Sequence, residues 1–271
     1  MPELPEVETI KKDLSPLVGS RLEQVAIYDN SYLERNGIAS QELKKLEGQK
    51  LFHLSRKGKY LFFHFSKLVL GFHLGLTGSL ILHKVGENMV AVKHTVLGLT
   101  FSESLVVFSD MRKFGKVYLF YNSDSFQKFL RGIGPDALEI EISEFKGRLK
   151  GVRKPIKSTL LDQKIISGIG NIYADEILFR AELNPQRLTS SLSDVELERL
   201  YKTMKEVLNL AIELRGSTIK DYVDGLGRAG MFQNKHLVYK KYGKPCSRCG
   251  ATIQKIKISG RTTSFCPQCQ R

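Results

Sequence analysis

Between residues 20 and 121 apolar positions fall in short runs, Leu22–Tyr28, Leu51–Ser55, Tyr60–Phe65, Leu68–Leu74, Leu80–His83, Val96–Phe101, Leu105–Phe108 and Lys116–Tyr121, with Gly, Asn and Ser at many of the breaks. Runs of that length and spacing predict strands of an antiparallel sandwich. A short helix precedes them, with Val7, Ile10 and Leu14 on one face. From about residue 124 the period becomes helical. Ser193-Asp194-Val195-Glu196 has the form of a capping box, and the helix it starts carries Leu197, Leu200, Met204, Val207, Leu208, Ala211 and Leu214 before Gly216. Near the C-terminus, Ile253–Phe265 alternates apolar and basic residues around Ser259-Gly260, which predicts a β-hairpin. The boundary between the β-rich and helical parts is expected at Gly132-Ile133-Gly134-Pro135. The fold class is therefore α+β, in three parts: 1–131, 132–235 and 236–271.

Cysteine placement adds a metal to this picture. All 4 cysteines lie in Cys246-x-x-Cys249 and Cys266-x-x-Cys269, the spacing of a zinc ribbon. Four thiolates close a tetrahedral shell, so one zinc ion is expected in a structural role. Two disulfides are the competing reading, and they are disfavoured in a reducing cytoplasm. That compartment is expected because no apolar run approaches the length of a spanning helix and the acidic start of the chain is unlike a secretory signal.

Charge points to the partner. Lys+Arg number 42 against 28 Asp+Glu, a formal net charge of +14, which suits a polyanion such as nucleic acid. Lys255, Lys257 and Arg261 on the hairpin suit phosphate contacts, although lysines on a solvated strand need no ligand. Lys154-Pro155-Ile156-Lys157, with Gly168-Ile169-Gly170-Asn171 further on, forms a second candidate anion site. There, amides at a helix start and the Asn171 side chain could meet a phosphate; a plain interhelix turn would look the same.

The start Met1-Pro2-Glu3-Leu4-Pro5-Glu6 offers chemistry. With Met1 removed, Pro2 is a secondary amine whose reference pKa near 8 leaves a usable unprotonated fraction at neutral pH. Such an amine can attack an aldehyde carbon and give an iminium, an electron sink. Glu3 and Glu6 are placed to move protons. Prolines and acids also simply favour a first helical turn. No P-loop, catalytic metal site or serine-nucleophile motif is present.

These stretches together resemble the formamidopyrimidine-DNA glycosylases, bacterial enzymes that excise oxidised purines such as 8-oxoguanine. The resemblance runs from end to end: Pro2-Glu3-Leu4-Pro5-Glu6-Val7-Glu8, Arg56-Lys57-Gly58-Lys59-Tyr60, His73-Leu74-Gly75-Leu76-Thr77-Gly78, Asp110-Met111-Arg112-Lys113-Phe114-Gly115, Gly170-Asn171-Ile172-Tyr173 and the four-cysteine finger. Leu4 separates the start from that of the related endonuclease VIII enzymes, which resembles Pro-Glu-Gly-Pro-Glu.

The resemblance implies an N-terminal catalytic β-sandwich, a helix-two-turns-helix domain with a lesion-capping loop at 217–231, and a zinc-finger hairpin. It implies catalytic roles for Pro2, Glu3, Lys59 and Arg261, with Glu6 in support. His73, Arg112, Asn171 and Lys157 are expected to contact DNA. Leu76, Arg112 and Phe114 are expected to fill the void left by a flipped nucleotide. The first of these is a departure, because the family carries methionine there, and leucine is stiffer and less polarizable. Ser217, Thr218, Ile219, Lys220 and Tyr222 would form the loop over the extruded base, and a simple surface loop remains the alternative. The expected partner is duplex DNA containing oxidised purines or abasic sites, bound by a cytoplasmic, nucleoid-associated monomer with no membrane contact. Two other functions stay in view: an oxidised-pyrimidine glycosylase, and a catalytically inactive zinc-finger protein that binds damaged DNA.

Overall fold

A computed structural model describes residues 1–86 and 93–271. The chain divides into two units, Met1–Arg131 with Leu214–Met231, and Gly132–Glu213 with Phe232–Arg271.

In the first unit, α1 (Leu4–Asp13) leads into β1 (Leu22–Ile27), two short helices α2 (Asn30–Arg35) and α3 (Ser40–Lys44), and seven strands. These strands are β2 (Leu51–Lys57), β3 (Tyr60–Phe65), β4 (Val69–His73), β5 (Gly78–Lys84), β6 (Thr95–Phe101), β7 (Ser104–Asp110) and β8 (Lys116–Phe120). One sheet has the order β1-β6-β7-β5 and the other β2-β3-β4-β8, with antiparallel pairing throughout. Alternate residues of both sheets, among them Leu54, Leu61, Phe63, Phe72, Leu97, Leu99 and Phe108, join one buried cluster with Val7 and Ile10 of α1 and Leu14 at its C-cap. Phe72 and Phe108 meet across the layers at 5.2 Å between ring centroids. α4 (Ser123–Arg131) covers an aromatic patch on the second sheet, where Phe126 lies 5.0 Å from Phe62. The helices α2 and α3 interrupt a stretch whose apolar runs suggest only strands. Asp29 starts α2 by accepting the Tyr32 N–H at 3.0 Å, the capping geometry that turns a strand exit into a helix.

Strand register sets the site. Tyr60 pairs with His73, and His73 with Lys116, so the β2–β3 turn lies beside the end of β4. Gly78 pairs with Asp110, which places the turn before β5 next to the turn after β7.

Residues 217–231, expected in the helical domain, belong instead to the sandwich unit. The cause is local bonding: Leu82 donates its N–H to the Gly225 carbonyl at 2.8 Å, and Tyr222 is buried within the sandwich core cluster.

The second unit contains α5 (Ile142–Leu149), α6 (Ile156–Leu161), α7 (Asn171–Arg180) and α8 (Asp194–Glu213), followed by the hairpin β9 (Gln254–Ile258) and β10 (Arg261–Phe265). The capping box forms: Glu196 accepts the Ser193 N–H at 2.8 Å, and Ser193 Oγ accepts the Glu196 N–H at 3.3 Å. Among the described residues no helix is long and apolar enough to cross a membrane.

Glu176 on α7 holds the segment leading to the cysteines. Its fully buried carboxylate accepts the backbone N–H groups of Leu237, Val238 and Tyr239, each at 2.9 Å, and pairs with Arg180 at 2.6 Å. Removing it strands three buried or part-buried backbone donors, a buried one costing about 1–3 kcal/mol. Glu176→Ala is therefore expected to destabilise this unit by about 3 kcal/mol or more, measured by chemical denaturation. A loss below about 1 kcal/mol would show that the carboxylate is not the clamp.

Candidate active site and nucleic-acid interface

The sandwich unit carries the candidate catalytic residues. Pro2 and Glu3 are buried at the head of α1. Glu6, one turn on, accepts the Glu3 N–H at Oε2 (2.8 Å) and the Ser217 N–H at Oε1 (2.8 Å). A single carboxylate thus satisfies a donor at the helix start and one in the chain 211 residues away. Lys59 sits in the β2–β3 turn and is 7% exposed. Arg56 braces that turn, bonding Glu8 at 2.7 Å and the Gly58 carbonyl at 2.9 Å.

His73, at the end of β4, is pulled down to about 4 by burial, with the positive charges of Lys59 and Lys116 adding to the effect. It is neutral at physiological pH. Its Nδ1 accepts the Gly75 N–H at 3.2 Å, which assigns the ring proton to Nε2. Nε2–H is then a neutral donor suited to a phosphate oxygen.

The two turns beside β5 and β7 form one assembly. Asp110, fully buried, accepts the Thr77 hydroxyl at 2.7 Å and the Gly115 N–H at 2.7 Å, while Thr77 Oγ1 accepts the Arg112 N–H at 3.0 Å. Gly75 has φ +58, and a Cβ there would lie 2.5 Å from the Phe114–Gly115 peptide, so only glycine permits the approach. Outside this frame Phe114 is 56% exposed and the Arg112 guanidinium stands 5.2 Å from its ring centroid. Leu76 is half-buried in the facing turn. Phe114 is therefore not an ordinary packed strand residue; it is a large apolar ring held in the open beside a cation.

Of the lesion-loop residues, Ser217 and Tyr222 are buried, Thr218 and Ile219 half-buried, and Lys220 exposed. Tyr222 departs from its expected role over a base. Its ring joins the sandwich core and its hydroxyl donates to the Arg215 carbonyl at 3.2 Å, so it anchors the loop from below.

The helical unit carries a separate set of candidate residues. Asn171 opens α7 and donates from Nδ2 to the Thr262 carbonyl at 3.0 Å, which ties the helix start to the hairpin tip. Arg261 is exposed on that tip. Asn171, Tyr239, Tyr242, Lys240, Lys255 and Arg261 line a cleft of about 710 Å³. The basic residues and two tyrosines there suit a phosphodiester backbone. Lys157 does not join them. It is fully buried, and its Nζ donates to Asp175 at 2.6 Å and to Thr263 Oγ1 at 2.8 Å. The expected DNA contact is an internal ion pair, because a buried cation must be neutralised within the protein.

The four Sγ atoms lie within 4.8 Å of one another, with Cys246–Cys269 at 3.8 Å and Cys249–Cys266 at 3.5 Å. A tetrahedral zinc with bonds of about 2.3 Å requires sulfur separations of about 3.8 Å. The cluster fits one structural zinc. Arg248 N–H and Cys269 N–H each point at a ligand sulfur, at 3.4 Å.

Three family models match the chain: the formamidopyrimidine-DNA glycosylase N-terminal domain over residues 1–117, the H2TH domain of the same enzymes over 132–223, and the zinc finger found in FPG and IleRS over 243–271. The formamidopyrimidine-DNA glycosylases of Solibacter usitatus and Bacillus subtilis are 41% and 38% identical to it. The alignments cover all of this chain and 100% and 99% of those proteins. The chain belongs to the formamidopyrimidine-DNA glycosylase family. Among solved structures of the family, a Lactococcus lactis Fpg variant in complex with Fapy-dG DNA has a TM-score of 0.89 and 36% identity, with full coverage of both chains. The same organism's Fpg in complex with abasic-site DNA also has a TM-score of 0.89 at 36% identity, covering 99% of each chain.

Within this glycosylase fold, several residues escape sequence reading. Asp110, Thr77, Glu8 and Arg56 hold the candidate site residues from buried or half-buried positions. All four lie inside the quoted motifs, and that membership is their only signal in the sequence. For the zinc site the expectation is direct: Cys249→Ser should drop zinc below one equivalent per chain by elemental analysis and weaken DNA affinity. Full zinc content with unchanged affinity would overturn the assignment.

Proposed function

We propose that this chain is a base-excision repair enzyme that removes oxidised purines, 8-oxoguanine and formamidopyrimidines, from duplex DNA and nicks the abasic product. The carrying observation is Pro2 buried at the head of α1 with Glu3 and Glu6, each only 1% exposed, on the same turn. Once Met1 is removed, the Pro2 nitrogen attacks C1′ of the damaged nucleotide. A C1′–N bond forms as the glycosidic bond breaks, and the base leaves. Glu3 delivers a proton to the sugar ring oxygen and opens the ring, leaving an iminium whose positive nitrogen accepts electrons from the neighbouring C–H bond. Successive β- and δ-elimination then release the phosphates on both sides.

The remaining residues handle the DNA. Lys59, His73, Asn171 and Arg261 grip phosphates around the extruded nucleotide, His73 as a neutral donor and the cations through charge. Phe114, Arg112 and Leu76 fill the gap in the stack. Extruding a base costs a few kcal/mol, and a pre-exposed ring beside a guanidinium offsets part of that without rearrangement. Residues 217–220 cap the base. The structural zinc keeps the hairpin that bears Arg261 folded. The net charge of +14 supports nonspecific DNA association and placement on the nucleoid.

A second substrate class has a specific observation behind it: the wild-type Lactococcus lactis Fpg, 36% identical with a TM-score of 0.88, forms a complex with DNA containing an oxidised pyrimidine. Lesion range is therefore measured on both. Glu3→Gln should lower single-turnover cleavage of 8-oxoguanine duplex by about 10²-fold or more, and Pro2→Gly should likewise lose most cleavage while damaged-DNA binding persists. Unchanged cleavage by either variant would overturn its role, and a wild-type protein that binds damaged DNA but cleaves neither lesion would be a binding protein only.

A further inference from the structure

The C-terminal end of α1 carries a cluster that the proposed chemistry does not use. Asp13 receives the Arg215 guanidinium through Nη2, at 2.7 and 2.6 Å, and accepts the Gly225 N–H at 3.0 Å. Arg215 and Gly225 bound the segment 216–224, which contains the capping residues. One carboxylate therefore gathers both ends of that loop. Asp224, whose side chain is fully buried, completes the closure: it accepts Arg215 Nε at 2.5 Å and the N–H groups of Leu226 and Arg228, at 2.8 and 2.9 Å. The fit at Gly225 is tight, since a Cβ there would lie 2.7 Å from the Asp13 Cβ. Arg215 itself adopts φ +61, a backbone state few side chains take without outside support.

Inside the closure a second set of bonds shapes the loop. Thr218 Oγ1 donates to the Tyr222 carbonyl at 2.8 Å and accepts the Gly230 N–H at 2.8 Å. Together with Glu6 on Ser217, the helix that bears Pro2 holds the loop at two points, Glu6 in its first turn and Asp13 at its end.

We propose that Asp13 is a positioning residue that sets the lesion-capping loop against the catalytic helix, so that it governs base excision and not the nicking of sites that have already lost their base. This rests on the glycosylase reading and on residues 217–220 acting on the base. An abasic site presents no base for the loop to cap, so Pro2 can attack it whatever the loop's position. A damaged nucleotide must be held with C1′ within reach of the Pro2 nitrogen, and small misplacements there are costly.

The test compares two substrates with the full-length, zinc-loaded protein: 8-oxoguanine opposite cytosine, and a preformed abasic site. Asp13→Ala should lower single-turnover base excision about tenfold or more, while abasic-site nicking stays within about twofold of wild type. Asp13→Glu, which keeps the carboxylate, should recover most of the excision rate. Asp13→Asn keeps the size and the acceptor for Gly225 but loses the charge on Arg215, and it gives the same two-substrate comparison if the alanine variant does not fold. Equal loss on both substrates would assign Asp13 to overall stability and overturn the proposal, as would no loss on either. Failure of the wild-type protein to excise 8-oxoguanine while nicking the abasic site would instead remove the glycosylase reading on which the proposal stands.

Discussion

The chemistry proposed for the sandwich unit depends on how α1 begins. A reactive N-terminal amine needs a fixed position, yet chain ends are ordinarily the least ordered part of a domain. Here Val7, Ile10 and Leu14 bury one face of α1 in the sandwich core, and Glu6 binds the Glu3 N–H that the helix cannot satisfy itself. With its other oxygen on Ser217, the same carboxylate ties the helix start to the loop after α8. Core packing gives the helix its place, and one acid gives its first turn a definite shape.

The helical unit meets a similar problem with different means. A two-stranded hairpin is at best marginal alone, so the segment from Phe232 to Arg271 depends on external staples. The four thiolates hold its base. Glu176 binds the segment leading into it, and the buried Lys157–Asp175 pair reaches the middle of β10, where Asp175 also accepts the Ser264 N–H at 3.0 Å. Asn171 then fastens the tip through the Thr262 carbonyl. Arg261 sits at the end of this chain of supports, which explains why charges that read as surface contacts turn out to lie inside.

What could be read from the sequence follows what is local. The zinc ligands, the hairpin around Ser259-Gly260, the capping box at Ser193 and the sandwich strands all have signals within a few residues. Pro2, Glu3, His73, Arg112, Phe114 and Asn171 stand out as candidates because their neighbours in sequence carry a family pattern. Lys157 was not, since its partners Asp175 and Thr263 lie 18 and 106 positions away and a lysine in a basic stretch reads as solvated. The attachment of residues 214–231 to the sandwich unit escaped for the same reason: Asp13 and Arg215 are 202 positions apart. Helices α2 and α3 were missed because they are only 6 and 5 residues long, too short to establish a helical period.

The proposed chemistry rests on the Pro2 amine. Borohydride reduction during reaction with duplex DNA bearing 8-oxoguanine opposite cytosine, followed by mass mapping of the cross-linked peptide, tests it most directly. A covalent adduct on the N-terminal proline nitrogen is expected, which requires Met1 to have been removed. An adduct mapped to a lysine, or robust cleavage with no trapped species, would contradict it.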